Sequence, residues 1–480
     1  MKASRARLLA AFVVLLAVVT TSCATSSPTT APESAAQSSI TTTTAVPAAQ
    51  TDTPSTTSSA PTTTVITTTT APTTEPTASP AASQSVRTGA QVLVDERLDV
   101  LAGQRVGLIA HQNSVVGIDG DTQHLGDALH AAPEVELISL FGPEHGVRGL
   151  ADAGELVADE VDEATGVPIF SLFGSTRQPT PEMLADLDVL IYDLQDVGTR
   201  YYTYISTMGL AMQAAAAAGV DFIVLDRPNP LGGTIAGGVL EAQRASFVGQ
   251  YPLPDQYGLT SGELAPLIVD EQWLPGLESL DLQVVEMDGW TRDMIWEDTG
   301  LEWIPPSPAI TTPDAALLYP TTIYLEASSI SYGRGTETPF QVFGAPWLDA
   351  DAAAGALNQQ FSETLSFVAT TISPAMLPGM TVAPAFLGET IPAVQIEVLD
   401  PRSIRQQDVM IALFDVLTDQ ANASGAELIA RPDWLDQLAG NTTLRTAIQS
   451  GDFDPDLVGQ RLGDQRSPAL EAALQSALRY

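Results

Sequence analysis

Val189-Leu190-Ile191-Tyr192-Asp193-Leu194 runs into Gln195-Asp196-Val197-Gly198-Thr199-Arg200. A helical stretch from Tyr202 to Gly219 follows, rich in alanine from Ala214 to Ala218, and then Phe222-Ile223-Val224-Leu225. A short apolar run, a polar turn, a helix stopped by glycine and a second apolar run are the signature of a crossover between parallel strands. Val106-Gly107-Leu108-Ile109-Ala110 and Val135 to Phe141 have the same character. Runs this uniformly apolar suit a parallel sheet covered on both faces, so the fold class is α/β. The polar clusters obey one rule, since each sits where a strand ends. Phe141 leads into Gly142-Pro143-Glu144-His145-Gly146, Leu194 into Gln195 to Arg200, and Leu225 into Asp226-Arg227-Pro228-Asn229-Pro230. Ligands of open parallel sheets bind outside the carboxyl ends of the strands, so the three clusters are expected to converge on one pocket.

Working outward, the chain has 480 residues with 58 acidic and 20 basic side chains, a formal charge of −38. That balance excludes a nucleic-acid binder relying on phosphate neutralisation. Lys2 is the sole lysine, which excludes a P-loop, a Schiff-base lysine and a polybasic membrane patch in the mature chain. Lys2, Arg5 and Arg7 precede an apolar run from Leu8 to Val19 that is too short to span a bilayer, and Cys23 follows Ser22. Residues 1–22 read as a bacterial lipoprotein signal, with Cys23 the lipidated first residue; ordinary secretion is the other reading. Their removal takes away three positive and no negative charges, from −38 to −41. With Cys23 consumed, no intramolecular disulfide is available.

Residues 23–90, rich in Thr, Ser, Pro and Ala, cannot bury enough surface to offset their ordering entropy and read as a disordered tether. The body is expected to divide into residues 91–311, Rossmann-like with a parallel sheet, and residues 312–480, smaller and α+β. The second part shows a helix from Asp349 to Phe361, a strand-like alternation Ala393 to Val398, a helix from Gln407 to Ala421 and helical pieces from Trp434. The joint falls after the proline-rich Ile304-Pro305-Pro306-Ser307-Pro308.

Glu144 stands in a turn framed by Gly142, Pro143 and Gly146, which constrains the backbone while the carboxylate projects. It is a candidate general acid or base; a loop carboxylate satisfied by backbone amides is the plainer reading. His145 beside it is either a packed histidine or part of the site. Asp196 and Arg200, four apart, are readable as an ion pair or as ligand contacts, and so are Asp226 and Arg227. Yet an acidic chain that places arginines at strand ends, and Arg334 in Tyr332-Gly333-Arg334-Gly335-Thr336, suggests recognition of an anion by the planar guanidinium fork. His111, His124, His130 and His145 lack metal-site spacing, so no metal is expected. Ala110-His111-Gln112-Asn113 replaces the Gly-x-Gly-x-x-Gly of a dinucleotide site, and a Gly-x-Ser-x-Gly nucleophile elbow is absent.

Leu140-Phe141-Gly142-Pro143-Glu144-His145-Gly146-Val147-Arg148-Gly149 and Tyr192 to Tyr204 resemble the NamZ family of exo-β-N-acetylmuramidases. So, in the family's order, do Leu225 to Pro230, Tyr257-Gly258-Leu259-Thr260-Ser261-Gly262-Glu263-Leu264, Pro305 to Pro308, and Tyr332 to Thr336 with Pro339-Phe340 and Gly344-Ala345-Pro346. The similarity covers about Arg105 to Tyr480. The resemblance implies a glycoside hydrolase that removes terminal non-reducing N-acetylmuramic acid from peptidoglycan fragments, in a cleft between its two domains. It implies no nucleotide cofactor, since protonating a glycosidic oxygen takes only carboxyl groups. The family's catalytic glutamate falls on Glu144, with His145 and Asp196 placed beside it as further catalytic candidates. Arg200, Arg227 or Arg334 would take the lactyl carboxylate. Asp226 and Asn229, with Tyr204, Ser307 and Glu326, would contact the rest of the sugar. The expected partners are muramyl-glucosamine saccharides, with the membrane reached only through the lipid anchor, outside the cell membrane in the wall.

The chain also departs from the family. Tyr332 stands where the family usually has an acid, and Gln341 where it has the glutamate of Pro-Phe-Glu. Glu326, Glu337, Asp196 or the substrate's own acetamide would then serve as second group. His111-Gln112-Asn113-Ser114 replaces an asparagine-threonine turn. The same replacements favour the other class of reading, a non-catalytic peptidoglycan-binding lipoprotein.

Overall fold

Seven strands form the main sheet: β1 (Arg105–Ala110), β2 (Glu136–Gly142), β3 (Glu160–Val161), β4 (Pro168–Ser171), β5 (Val189–Asp193), β6 (Asp221–Leu225) and β7 (Leu282–Val285). Their order is β7-β6-β5-β1-β2-β4-β3, parallel throughout except for the β3–β4 hairpin at one edge. The computed structural model describes Ser85–Tyr480 apart from residues 150, 152–154, 157, 379 and 381. Residues 1–22, Cys23 and most of the tether lie outside the described residues.

The topology follows from burial. All five residues of β5 are buried, as are the last five of β1, so both faces need cover. Cover comes from helices such as Tyr204–Ala218, whose stop is Gly219 at φ 68°, a left-handed turn that glycine adopts without strain. From β1 the chain moves to β2 and β4, then returns across β1 to β5, β6 and β7. The reversal at β1/β5 opens a crevice at the carboxyl ends of the strands.

The ordered body reaches upstream of Gln91. A helix spans Gly89–Glu96, capped by Thr88, whose Oγ1 accepts from the Gln91 amide at 3.2 Å. It packs so tightly on the sheet that a Cβ at residue 89 would sit 2.3 Å from the Val285 carbonyl oxygen and 2.4 Å from the Asp226 nitrogen. Glycine alone allows that approach, which the Ser/Thr/Pro composition just before it did not signal.

The C-terminal part holds a three-stranded antiparallel sheet, with Ile391–Val398 between Val342–Gly344 and Leu365–Ile372. Around it pack the helices Pro313–Thr322, Ala350–Phe361 and Gln406–Ser424, with Pro432–Ala439 and shorter helices after it. One apolar core runs through both parts, from Ile109 and Tyr192 to Phe343, Val394 and Leu438. The last residue closes back on the first part: the Tyr480 hydroxyl donates to Asp226 at 2.8 Å.

Asp226 also accepts from Thr260 Oγ1 and the Gly262 amide, each at 2.7 Å, yet burial pushes its carboxyl up to about 6. A carboxyl raised in the folded state contributes most below its unfolded value near 3.9, and that contribution is lost as pH rises through the folded value. Between pH 4 and pH 7.5 the wild type should therefore lose about 2–3 kcal/mol relative to Asp226→Asn, measured by urea denaturation of both at each pH. Parallel profiles would contradict the raised value.

Candidate active site

A cavity of about 430 Å³ lies between the sheet's carboxyl edge and the C-terminal part. Glu144, His145, Ser307, Glu326 and Arg334 all line it. Glu144 follows β2 in a turn closed by the Gly146 amide donating to the Pro143 carbonyl at 2.9 Å. His145 has φ 75°, left-handed for a non-glycine residue, at a cost of roughly 1–3 kcal/mol. Its surroundings hold it there: the ring is buried, Nδ1 lies 2.9 Å from the Ala151 carbonyl, and the His111 ring packs edge-on at 6.1 Å. His111 is buried and its pKa is driven down to about 3, by desolvation first and His145 second, so it is neutral. The turn thus aims the Glu144 side chain into the cavity, where Thr203 Oγ1 donates to its Oε2 at 2.7 Å.

Tyr201, Tyr202 and Thr203 supply one wall, and their neighbours organise another. The hydroxyls of Tyr202 and Tyr204 both donate to the Pro306 carbonyl, at 2.7 and 2.8 Å, which fixes the proline-rich joint and sets Ser307 on the cavity. From the C-terminal part comes Glu326, held by Trp434 Nε1 at 3.1 Å and by Arg431 at 3.3 Å. Tyr332 faces the same space beside Arg334, and burial pushes its phenol up to about 12, so it is a neutral hydroxyl. Glu337 and Arg334 line an adjoining cavity of about 380 Å³ that continues past Ala309 toward Met380.

The other sequence candidates lie off this cavity. Asp196 is buried, accepting from the Gly198 amide at 2.6 Å and from the Tyr257 hydroxyl, and desolvation raises its carboxyl to about 6. Arg200 is wholly buried, paired with Asp255 at 2.5 Å and donating to the Leu438 carbonyl at 2.9 Å. Tyr204 lies behind Glu144, its hydroxyl 3.3 Å from the Glu144 carbonyl. Arg227 grips Asp193 through Nε and Nη2 at 2.6 and 2.9 Å. Asn229 bonds the Leu259 carbonyl and the Leu231 amide. Asp226 is enclosed by the bonds already described.

Arg177 had no place in the sequence reading. It follows β4 on the cavity wall, its guanidinium 4.3 Å from the Phe247 ring centre and 5.1 Å from that of Phe173. Among the described residues it has no acid partner. The strand-end rule would have found it had β4, only four residues long, been recognised.

A carboxyl on a strand-end turn, aromatic walls and an arginine on the rim, between an α/β domain and a smaller one, make a cavity in which a side chain could protonate a glycosidic oxygen. The chain belongs to the exo-β-N-acetylmuramidase NamZ family of glycoside hydrolases: the family's N-terminal model matches residues 106–314 and its C-terminal model residues 317–463. It is 40% identical over 372 residues to the peptidoglycan β-N-acetylmuramidase NamZ of Bacillus subtilis strain 168, covering 77% of this chain and 86% of that one. Two crystal structures of DUF1343 family proteins from Bacteroides fragilis NCTC 9343 share the fold. One is 37% identical with a TM-score of 0.73, covering 82% of this chain and 99% of its own; the other is 27% identical with a TM-score of 0.64, covering 83% and 99%. Neither the family description nor the curated relative supports the non-catalytic reading.

Because Arg200 is spent on Asp255, its removal should act on stability. Arg200→Met leaves a buried carboxylate without its partner and should cost about 3–5 kcal/mol, read as a lowered denaturation midpoint. Wild-type stability with raised KM for a muramide would instead place Arg200 in substrate recognition.

Proposed function

We propose that this protein is an exo-acting β-N-acetylmuramidase that releases terminal non-reducing N-acetylmuramic acid from peptidoglycan fragments, with Glu144 as its acid. The observation that carries the reading is the Glu144 carboxyl, fixed by Thr203 in a cavity that also presents Arg177, a cation unpaired with any acid among the described residues. Family membership supplies the substrate class. In the proposed reaction the Glu144 carboxylic acid gives its proton to the glycosidic oxygen as the bond to the muramyl anomeric carbon breaks. Water ends as the new anomeric hydroxyl, and its remaining proton restores the acid. Glu326 is the carboxylate that shares the cavity with Glu144, so it is the side chain best placed to assist on the other side of the ring; the substrate's acetamide is the other candidate. Arg177 and Arg334 replace Arg200 and Arg227 as proposed receptors of the lactyl carboxylate, because the latter two are committed to buried aspartates.

Cys23, read as a lipid-modified residue, and the tether after it would hold this body outside the cell membrane within reach of the wall. That proposal rests on the sequence of residues 1–90. Cys23→Ser, expressed with its own leader, should move the protein from the membrane fraction to the soluble fraction; unchanged fractionation would remove the anchor from the proposal.

For catalysis, release of free N-acetylmuramic acid from the muramyl-glucosamine disaccharide should fall by at least about a hundredfold in Glu144→Gln. In the same assay Arg177→Ala should raise KM about tenfold with kcat little changed, the loss of one charged hydrogen bond. Activity of Glu144→Gln near the wild-type level would exclude Glu144 as the acid.

A further inference from the structure

Two further cavities stand in different relations to the one around Glu144. One, of about 490 Å³ beside the Gly89–Glu96 helix, shares no lining residue with it. The other, of about 380 Å³, shares Ala309 and Arg334 with it, so the two spaces adjoin. Its volume is within the roughly 300–1,000 Å³ of small-molecule sites. Gly149, on the stretch that follows the Glu144 turn, forms part of its wall.

Its apolar side is built by Leu377 and Met380, in the connection between the strands Leu365–Ile372 and Ile391–Val398. That connection is fastened to the turn that carries Arg334. The Ala375 amide donates to the Gly335 carbonyl at 2.9 Å, and a Cβ at Gly335, whose φ is 82°, would sit 2.6 Å from Pro384 Cγ, so glycine alone permits the seat. Thus fastened, Leu377 is still 38% exposed and its neighbour Met376 45%. Apolar side chains held open beside a reaction cavity offer surface for the C–H faces and methyl groups of a ligand to cover. Charge narrows the choice. Among the described residues that line this space Arg334 is the one cation and Glu337 the one anion, so their charges balance, whereas Arg177 stands on the Glu144 cavity alone. The anionic end of a substrate belongs with Arg177, and a neutral unit belongs here.

We propose that this cavity is the leaving-group subsite, which holds the neutral acetamido sugar on the far side of the bond that Glu144 protonates, with Leu377 and Met380 as specificity-determining side chains. The inference rests on the muramidase reading. In that reading the glycosidic oxygen lies within reach of the Glu144 carboxyl, so the unit attached to that oxygen must occupy space that adjoins the Glu144 cavity. Of the two neighbouring cavities only this one does. The acetamido methyl and the ring C–H groups would cover Leu377 and Met380, while Arg334 offers the hydroxyls a donor and Glu337 an acceptor. A peptide carried on the lactyl group is the competing occupant, and charge speaks against it. Its amide linkage would remove the lactyl carboxylate that Arg177 is placed to meet.

The test titrates the full-length chain carrying Glu144→Gln with N-acetylmuramic acid and with the muramyl-glucosamine disaccharide, read by calorimetry. The disaccharide should bind about tenfold or more tightly than the monosaccharide, the gain from covering one apolar side chain. Adding Leu377→Asp should bring the two affinities within about twofold of each other and leave that for N-acetylmuramic acid unchanged, which also shows the variant to be folded. Glu337→Trp, at an exposed position on the same cavity, should act likewise by filling the space, and keeps the test decisive if Leu377→Asp fails to fold. Equal affinities in the parent, or a disaccharide advantage that survives the substitutions, would overturn this proposal, while binding of N-acetylmuramic acid would leave the muramidase reading intact. Failure of both ligands to bind would overturn that reading and this proposal with it. A muramyl dipeptide that binds more tightly than N-acetylmuramic acid, and loses the gain in Leu377→Asp, would give the cavity to a peptide instead.

Discussion

The pairing of Arg200 with Asp255 is the contact on which the architecture of the Glu144 cavity depends. Arg200 ends the loop after β5, Asp255 lies on the short strand Pro254–Tyr257, and the same guanidinium donates to the Leu438 carbonyl in helix Pro432–Ala439. Three segments far apart in the chain thus meet on one planar group. Space around it is made by glycine, since a Cβ at Gly249 or Gly440 would lie 2.8 or 2.9 Å from a guanidinium nitrogen. Burying an ion pair is no bargain in itself, because desolvation offsets much of the attraction. What it supplies is registry. With Arg200 fixed, the next four residues point their side chains in set directions: Tyr202 and Tyr204 bind the Pro306 carbonyl, and Thr203 reaches Glu144. The helix held by Arg200 also carries Trp434, which positions Glu326. Both carboxyl groups of the cavity are therefore referred to one buried cation.

The parallel sheet explains why there are two cavities at one edge. Strands β1, β2, β4, β5 and β6 end along one edge of the sheet: the loops after β2, β4 and β5 face the C-terminal part and build the Glu144 cavity, while those after β1, β5 and β6 line the other beside the Gly89–Glu96 helix. Between them lies a seam of His111, Asp193 and Asp196, closed by Arg227, Tyr257 and backbone amides. A neutral His111 suits this seam, since a buried imidazolium so near Arg227 would have to be compensated.

The fold was legible because burial on both faces leaves an unambiguous record. The run Val189 to Leu194 appears as β5 with a shift of one residue, Tyr202 to Gly219 as a helix capped by that glycine, and Gln407 to Ala421 inside Gln406–Ser424. The site was legible only in part. Glycines and proline around Glu144 are local, so the framed acid could be read directly. What an arginine faces is not local: Asp255 is 55 residues from Arg200 and Asp193 is 34 from Arg227, and nothing in either neighbourhood shows that they are spent. Arg177 was missed for the converse reason, because its partners Phe173 and Phe247 are apolar and mark no charge pattern.

Charge economy bears on the selectivity proposed for the Glu144 cavity. With 58 acidic and 20 basic residues, the protein's long-range field repels anions, and at 0.1 M salt that field is largely screened beyond about 10 Å. In the proposed reading an anionic sugar is therefore not steered in from afar and has to be met by a cation at close range. Most arginines of the body are paired with carboxylates, among them Arg105, Arg148, Arg200, Arg227 and Arg292. Arg177 leans instead on two phenyl rings, which hold a guanidinium without cancelling its charge. A carboxylate placed there would have tied the side chain down equally well and closed the port. Aromatic support thus keeps this arginine oriented while leaving its charge available to a ligand carboxylate.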